Sequence, residues 1–145
     1  MHASSTNIGA YLKTVGASAA IQGVEPAAKS AGTSYGAAFS IEEAKSCVLT
    51  GATGAATGTP DSYTVTYSLQ VSADEAFTVP VDVTSSSVAL TADSKAGEVD
   101  VNLAALASGY FYARVKTVVA LTGGTTPTAL CAASVTLGGF QNLPV

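Results

Sequence analysis

Residues 63–72 read Tyr-Thr-Val-Thr-Tyr-Ser-Leu-Gln-Val-Ser, so that Tyr63, Val65, Tyr67, Leu69 and Val71 alternate strictly with Thr64, Thr66, Ser68, Gln70 and Ser72. Only an extended strand, whose side chains point to opposite faces at successive positions, sorts such a run into one apolar and one polar face. The segment is therefore a half-buried strand, and its dry face has to be covered by a second layer.

The rest of the chain from Gly36 onward repeats this texture in short β-type runs separated by Gly, Thr, Ser, Pro and Asp clusters, the pattern of an all-β sandwich or barrel. Ala37–Ile41 and Ser46–Thr50 are the first runs. Phe77–Val83 places Phe77, Val79, Val81 and Val83 on one face, with Pro80 confining it to an edge or a bulge. Val88–Ala92 and Glu98–Asn102 flank the polar turn 93–97, and Leu103–Ala107 (LAALA) after Asn102 reads as one helical turn. Tyr110–Leu121 is the longest run, half exposed at its start and apolar on both faces from Val118, and Ala129–Leu137 closes the fold. The stretch 51–61, GATGAATGTPD, has no large side chain to anchor it and is expected to be a mobile loop. Residues 1–36 show no sustained period of 2 or 3.6, and a helix over 17–31 is interrupted by Gly23 and Pro26. They are expected to form an extended N-terminal arm that orders against a neighbouring surface, ahead of a β-sandwich domain at 37–145.

Ala, Gly, Ser and Thr make up more than half of the 145 residues, and Leu, Ile, Val and Phe supply 33 of them. That is just above the one fifth or so below which disorder becomes the better expectation, so the core is thin. Six Lys and Arg, scattered singly in a chain of net charge −4, cannot form the basic stripe that phosphate backbones require, and direct nucleic-acid binding is not expected. No apolar run approaches the roughly 20 residues that cross a bilayer, and no signal-peptide pattern is expected at the N-terminus.

The inventory for catalysis is poor. His2 is the sole histidine, Trp is absent, and Cys47 and Cys131 lie far apart without a CxxC spacing, so neither a metal site nor a cofactor is expected, and the chain is read as a non-enzyme. The two cysteines are either a disulfide between an early and a late strand or, as their apolar flanks favour, two small buried hydrophobes. The run 51–58 lacks the Lys-Ser/Thr pair of a phosphate loop. Glu42 with Glu43 and Asp74 with Glu75 could supply paired acids or calcium oxygens, but adjacent strand residues point apart, and solvated turn charges account for them better. One row has the composition of an interface: Tyr110, Tyr112 and Arg114, continued by Lys116, alternate on one face of the long run, where they form either a surface for a sugar, a carboxylate or a neighbouring subunit, or an ordinary wet strand face.

The order of these pieces resembles the head decoration, or cement, proteins of tailed bacteriophages. The resemblance covers residues 37–144. It runs through the small-residue stretch with Gly58, Pro60 and Ser62, the strand ending in Leu69, Gln70 and Ser72, the turn at Asp74, the LAALA segment and the aromatic strand with Arg114. It continues in the turn Gly123, Gly124, Thr125, Thr126, Pro127 and the ending Leu137, Gly138, Gly139 to Leu143, Pro144. Similar chains often have Asp-Gly after that strand, where this one has Asp74, Glu75, Ala76. The resemblance implies a jelly-roll-like antiparallel β-sandwich without catalytic activity, made in the host cytoplasm and carried on the outside of the virion. Its partner would be the major capsid protein, and self-association as a trimer is expected. A carbohydrate- or receptor-binding sandwich of a phage tail or fibre, or of a bacterial surface protein, is the alternative, for which the absence of Trp is unhelpful.

Overall fold

The computed structural model describes residues 12–15 and 23–139. Its strands are β1 (Leu12–Val15), β2 (Val24–Lys29), β3 (Gly32–Tyr35), β4 (Phe39–Ser40), β5 (Ser46–Thr57), β6 (Ser62–Ser72), β7 (Val81–Asp82), β8 (Val88–Leu90), β9 (Ala96–Asn102), β10 (Tyr112–Thr122) and β11 (Thr128–Gly138). A 3₁₀ turn, Leu103–Ala105, follows Asn102 as the LAALA reading expects, although the Asn102 side chain does not cap it.

Every pairing is antiparallel, in two sheets. The first has the order β11–β5–β9, with β1 and β2 sharing the outer edge of β11. The second is built on β10 and β6, with β3 and β4 along the free edge of β10 and β7 and β8 along that of β6. Setting aside β1 and the two-residue β4 and β7 leaves eight strands, which in chain order are β2, β3, β5, β6, β8, β9, β10 and β11. Their spatial order is first-eighth-third-sixth in one sheet and second-seventh-fourth-fifth in the other. That is the double Greek key of a jelly roll, so the all-β jelly-roll sandwich expected from the resemblance is present.

The order also moves the start of the domain. The first two strands of the jelly roll, β2 and β3, lie within the segment read from sequence as an arm, as does β1, and the jelly-roll order begins at Val24 instead of residue 37. These strands are hard to see in the sequence because they are edge strands of small residues. In β2 only Val24 is buried while Glu25–Ala28 are exposed, and Pro26, which has no N–H to give a ladder, falls where the register against β11 slips between Cys131 and Ala133. The helix considered over 17–31 is absent over 24–29, which form β2, in keeping with its interruption by Gly23 and Pro26, whereas the expected ordering of the arm proper concerns residues that lie largely outside those described.

Alternation holds where it was read. Val65, Tyr67, Leu69 and Val71 are fully buried between the sheets, in one core with Cys47 and Leu49 of β5 and Val135 and Leu137 of β11. Truncating Leu69 to alanine is expected to cost about 2–5 kcal/mol, and Thr66→Ala, on the outer face, within about 0.5 kcal/mol of nothing. Urea melts of the two variants check the face assignment. Gln70 and Ser72, although on the polar face of β6, are themselves buried, by the turn that follows the strand.

Three sequence expectations are corrected. Residues 51–57 are strand, not a mobile loop. β5 runs on to Thr57, paired with β11 throughout and with β9 up to Ala52, and the irregular part begins at Gly58. The ladder needs only backbone, and small side chains are demanded by what faces them. A side chain on Gly51 would overlap the ring of Tyr67, and one on Gly54, at the bulge opposite Leu130, would overlap that leucine. Phe77–Val83 is not a continuous strand: only Val81–Asp82 pairs, and Val79 is 71% exposed. β10 alternates to its end, Val118 being half-buried and Ala120 exposed, so its last turns are not buried on both sides.

Cys47 and Cys131 are buried free thiols. They sit in the same sheet, with Cys47 opposite Leu137, six positions along β11 from Cys131. That offset is about 20 Å, against the limit of about 7 Å for a disulfide, so the buried-hydrophobe reading is the one the register allows. Burial pushes the Cys47 thiol up to about 12, with Asp100 adding to the shift. Among the described residues two buried hydroxyls have no hydrogen-bond partner, those of Tyr63 and Thr117, and of these Thr117 is the fully buried residue. Thr117→Val should therefore raise stability by about 1 kcal/mol or more, measured as a higher urea midpoint at unchanged slope.

Candidate functional site

The outer face of the β10 sheet carries a cluster centred on Arg114. Because Gln70 stands directly opposite Arg114 in the β6–β10 register, the amide oxygen Oε1 of Gln70 accepts from both Nε (3.0 Å) and Nη2 (2.9 Å) of the guanidinium. The other end of the same amide donates to Asp82 Oδ1 at 2.7 Å, and Asp82 Oδ2 accepts from Lys116 Nζ at 2.8 Å. Lys116 and Gln70 hold the Asp82 carboxyl below its ordinary range. Four side chains from β6, β7 and β10 are thus oriented in series.

Two aromatic rings complete the cluster. The guanidinium carbon lies 4.0 Å from the ring centre of Tyr35 on β3, and 4.3 Å from that of Phe77. Both distances fall within the range of cation–π attraction. Tyr35 is 50% exposed, whereas Phe77 is 6% exposed. Phe77 adopts a φ of 55°, a left-handed conformation that is rare for a bulky residue.

What holds Phe77 there is Asp74. Its carboxylate accepts from the Thr78 N–H at 3.2 Å, from the Thr78 hydroxyl at 3.1 Å and from the Ser72 hydroxyl at 3.1 Å, while its carbonyl accepts from the Phe77 N–H. This explains why the run from Phe77 does not continue as a strand, and why Asp74 is a turn organiser instead of a solvated charge. Exposed Glu75, Glu42 and Glu43 do fit the reading as solvated turn charges.

These hydrogen bonds, that from the Thr78 N–H foremost, lower the Asp74 carboxyl below its ordinary value. A depressed carboxylate adds stability above its unfolded pKa of about 3.9, and that contribution is lost as pH falls through the lower folded value. Amide exchange at Thr78 is expected to accelerate below about pH 4, beyond the intrinsic trend, while core amides stay protected.

Of the residues singled out in sequence, the structure gives Arg114 a built environment and separates it from Tyr110. Tyr110 precedes β10 and packs against the core, and Tyr112 begins the strand, paired with Ser40 and Ser72. The aromatic partners of Arg114 are Tyr35 and Phe77. Tyr35 is distant in sequence and sits in the supposed arm, and Phe77 takes its place through a left-handed turn. No short-range pattern links either to residue 114.

A second feature lies at one end of the sandwich, where the 41–45 turn and the 103–111 segment enclose an open groove of about 300 Å³. Glu42, Glu43, Lys45, Leu106, Tyr110 and Phe111 are among its lining residues. Glu43 has a φ of 66°. Among the described residues there is no grouping of His, Cys, Asp and Glu suited to a metal ion, and no helix long and apolar enough to cross a membrane.

Fold and surface together define the chain as a jelly-roll sandwich with an aromatic-flanked arginine on one sheet face. Comparisons with protein-family models, with curated proteins and with solved structures each found no match.

Proposed function

We propose that the chain is a structural virion protein that decorates and strengthens the outside of a bacteriophage capsid by binding the major capsid protein, itself assembling as a trimer. The observation that carries this reading is the Arg114 cluster. Tyr35 and Arg114 grouped on a sheet face over the buried ring of Phe77, with the arginine pre-oriented by its neighbours, have the composition and rigidity of the few residues that dominate protein–protein interfaces. Two further features agree with it. Jelly rolls are a recurrent architecture of capsid components. The two central strands of the opposite sheet turn small uncharged residues outward, Thr50 and Ala52 on β5 and Ala132, Ser134 and Thr136 on β11, bordered by exposed Glu98 and Asp100 on β9, which suits close packing against another chain.

Electron microscopy and protein quantification of purified particles test the proposal. The chain should be present in a fixed ratio to the capsid protein and visible as density on the outer surface. Its absence from particles contradicts the reading.

The end groove favours a second reading, a carbohydrate- or receptor-binding module, because it sets Tyr110 and Phe111 beside Glu42 and Glu43. Binding on a glycan array, lost in Phe111→Ala, would support it.

A further inference from the structure

We infer that the Arg114 cluster is a carboxylate-recognition site, its ligand being an Asp or Glu side chain presented by the protein chain against which this face docks. The inference rests on the decoration reading for the identity of that chain, but its chemistry stands on the site alone. Arg114 is the only arginine in the sequence, and all ten Asp and Glu side chains lie within the described residues. None forms an ion pair with it: among the described residues the one ion pair joins Lys116 to Asp82. Among the described residues the guanidinium contacts the neutral Gln70 oxygen and two ring faces, and no carboxylate directly.

Counting donors shows what remains. A guanidinium carries five N–H groups. Gln70 Oε1 takes one from Nε and one from Nη2. This leaves three, both hydrogens of Nη1 and one of Nη2; the free Nη2 hydrogen and the Nη1 hydrogen beside it are the parallel pair that a carboxylate engages in bidentate fashion. The plane of the fork is fixed by the Tyr35 and Phe77 rings, and its rotation by the Gln70 amide. That amide cannot turn over without losing its hydrogen bond to Asp82, which is in turn held by Lys116. A donor pair fixed in this way loses little freedom on binding. The left-handed backbone at Phe77 points the same way, since such strain persists where surrounding structure enforces it and clusters at ligand clamps. Lys116 is not part of the site because its charge is already engaged.

A lone arginine makes the test direct, because its Nε–H gives one side-chain signal in a ¹⁵N-labelled sample of the full chain. Sodium acetate is titrated against sodium chloride at matched ionic strength. The inference expects a displacement of the Arg114 signal with acetate that chloride does not produce, and its loss in Gln70→Ala, with a thermal melt of that variant confirming that it folds. Equal responses to the two salts overturn the inference, as does a larger response to inorganic phosphate than to acetate.

A second arm uses purified capsid shells. Arg114→Lys, which keeps the charge but not the planar fork, should bind them at least about tenfold more weakly than the parent chain; undiminished binding also overturns the inference. The two arms fail separately. An acetate response without shell binding removes the decoration reading and leaves the carboxylate site, whereas shell binding with a flat acetate titration does the reverse.

Discussion

Replacing Tyr67 with alanine is expected to destabilise the fold by about 3–5 kcal/mol, and replacing it with phenylalanine by about 1–3 kcal/mol. Tyr67 projects from β6 across the interior to the opposite sheet and is fully buried. There its hydroxyl donates to the Ala52 carbonyl at 2.6 Å and accepts from the Ala132 N–H at 3.1 Å. Ala52 and Ala132 are register partners on β5 and β11, so one hydroxyl joins two strands of one sheet to a strand of the other. Phenylalanine keeps the packing and leaves a buried backbone donor and acceptor without this partner, while alanine also opens a cavity. Burial accordingly holds the phenol well above its ordinary pKa, so ionisation does not disturb this contact near neutral pH. Urea denaturation of the three proteins gives both differences. A phenylalanine variant as stable as the parent would show that the bridging hydroxyl contributes nothing net.

Gly51→Val is expected to be nearly as damaging, with a sign opposite to what strand propensity suggests. Valine is favoured over glycine in a strand by up to about 1 kcal/mol. At residue 51, however, a side chain meets the Tyr67 ring, and overpacking of this kind costs about 1–3 kcal/mol, more where the obstacle cannot move. Tyr67 is anchored at its far end by the two hydrogen bonds just described, which keeps the ring from yielding. The double variant Gly51→Val with Tyr67→Ala should be more stable than the sum of the single losses implies, by about 0.5–3 kcal/mol of coupling. Additive losses would mean that Gly51 is required for some other reason.

These two residues also show why part of the fold was legible in the sequence and part was not. Strict alternation in 63–72 exposes a strand and its buried face, because each large side chain reports its own environment. The second half of β5, in the facing sheet, is made of residues that leave room, and room has no signature in composition. Seven residues without a large side chain look like a loop until the opposing tyrosine is known. The edge strands β2 and β3 were hidden for a related reason, having one or no buried side chain apiece, and their place became clear only from pairing with β11 and β10. At the candidate site Arg114 stood out because an arginine among aromatic residues is rare in a chain so poor in charge. Its Gln70 partner follows from the register of two strands that were both recognised, but Tyr35 and Phe77 could not, since one comes from the supposed arm and the other from a turn fixed by Asp74.

The central claim, that the chain holds to a shell through enclosed contacts instead of long-range charge, is tested most directly by co-sedimentation with purified capsid shells as salt is raised. Between about 0.1 and 1 M salt the screening length falls from about 10 Å to about 3 Å. Solvated attractions weaken over that range, whereas apolar burial and a single arginine–carboxylate pair enclosed between rings do so much less. The retained fraction should stay level across the series. Failure to sediment with shells at the lowest salt, or progressive release as salt rises, would contradict the account.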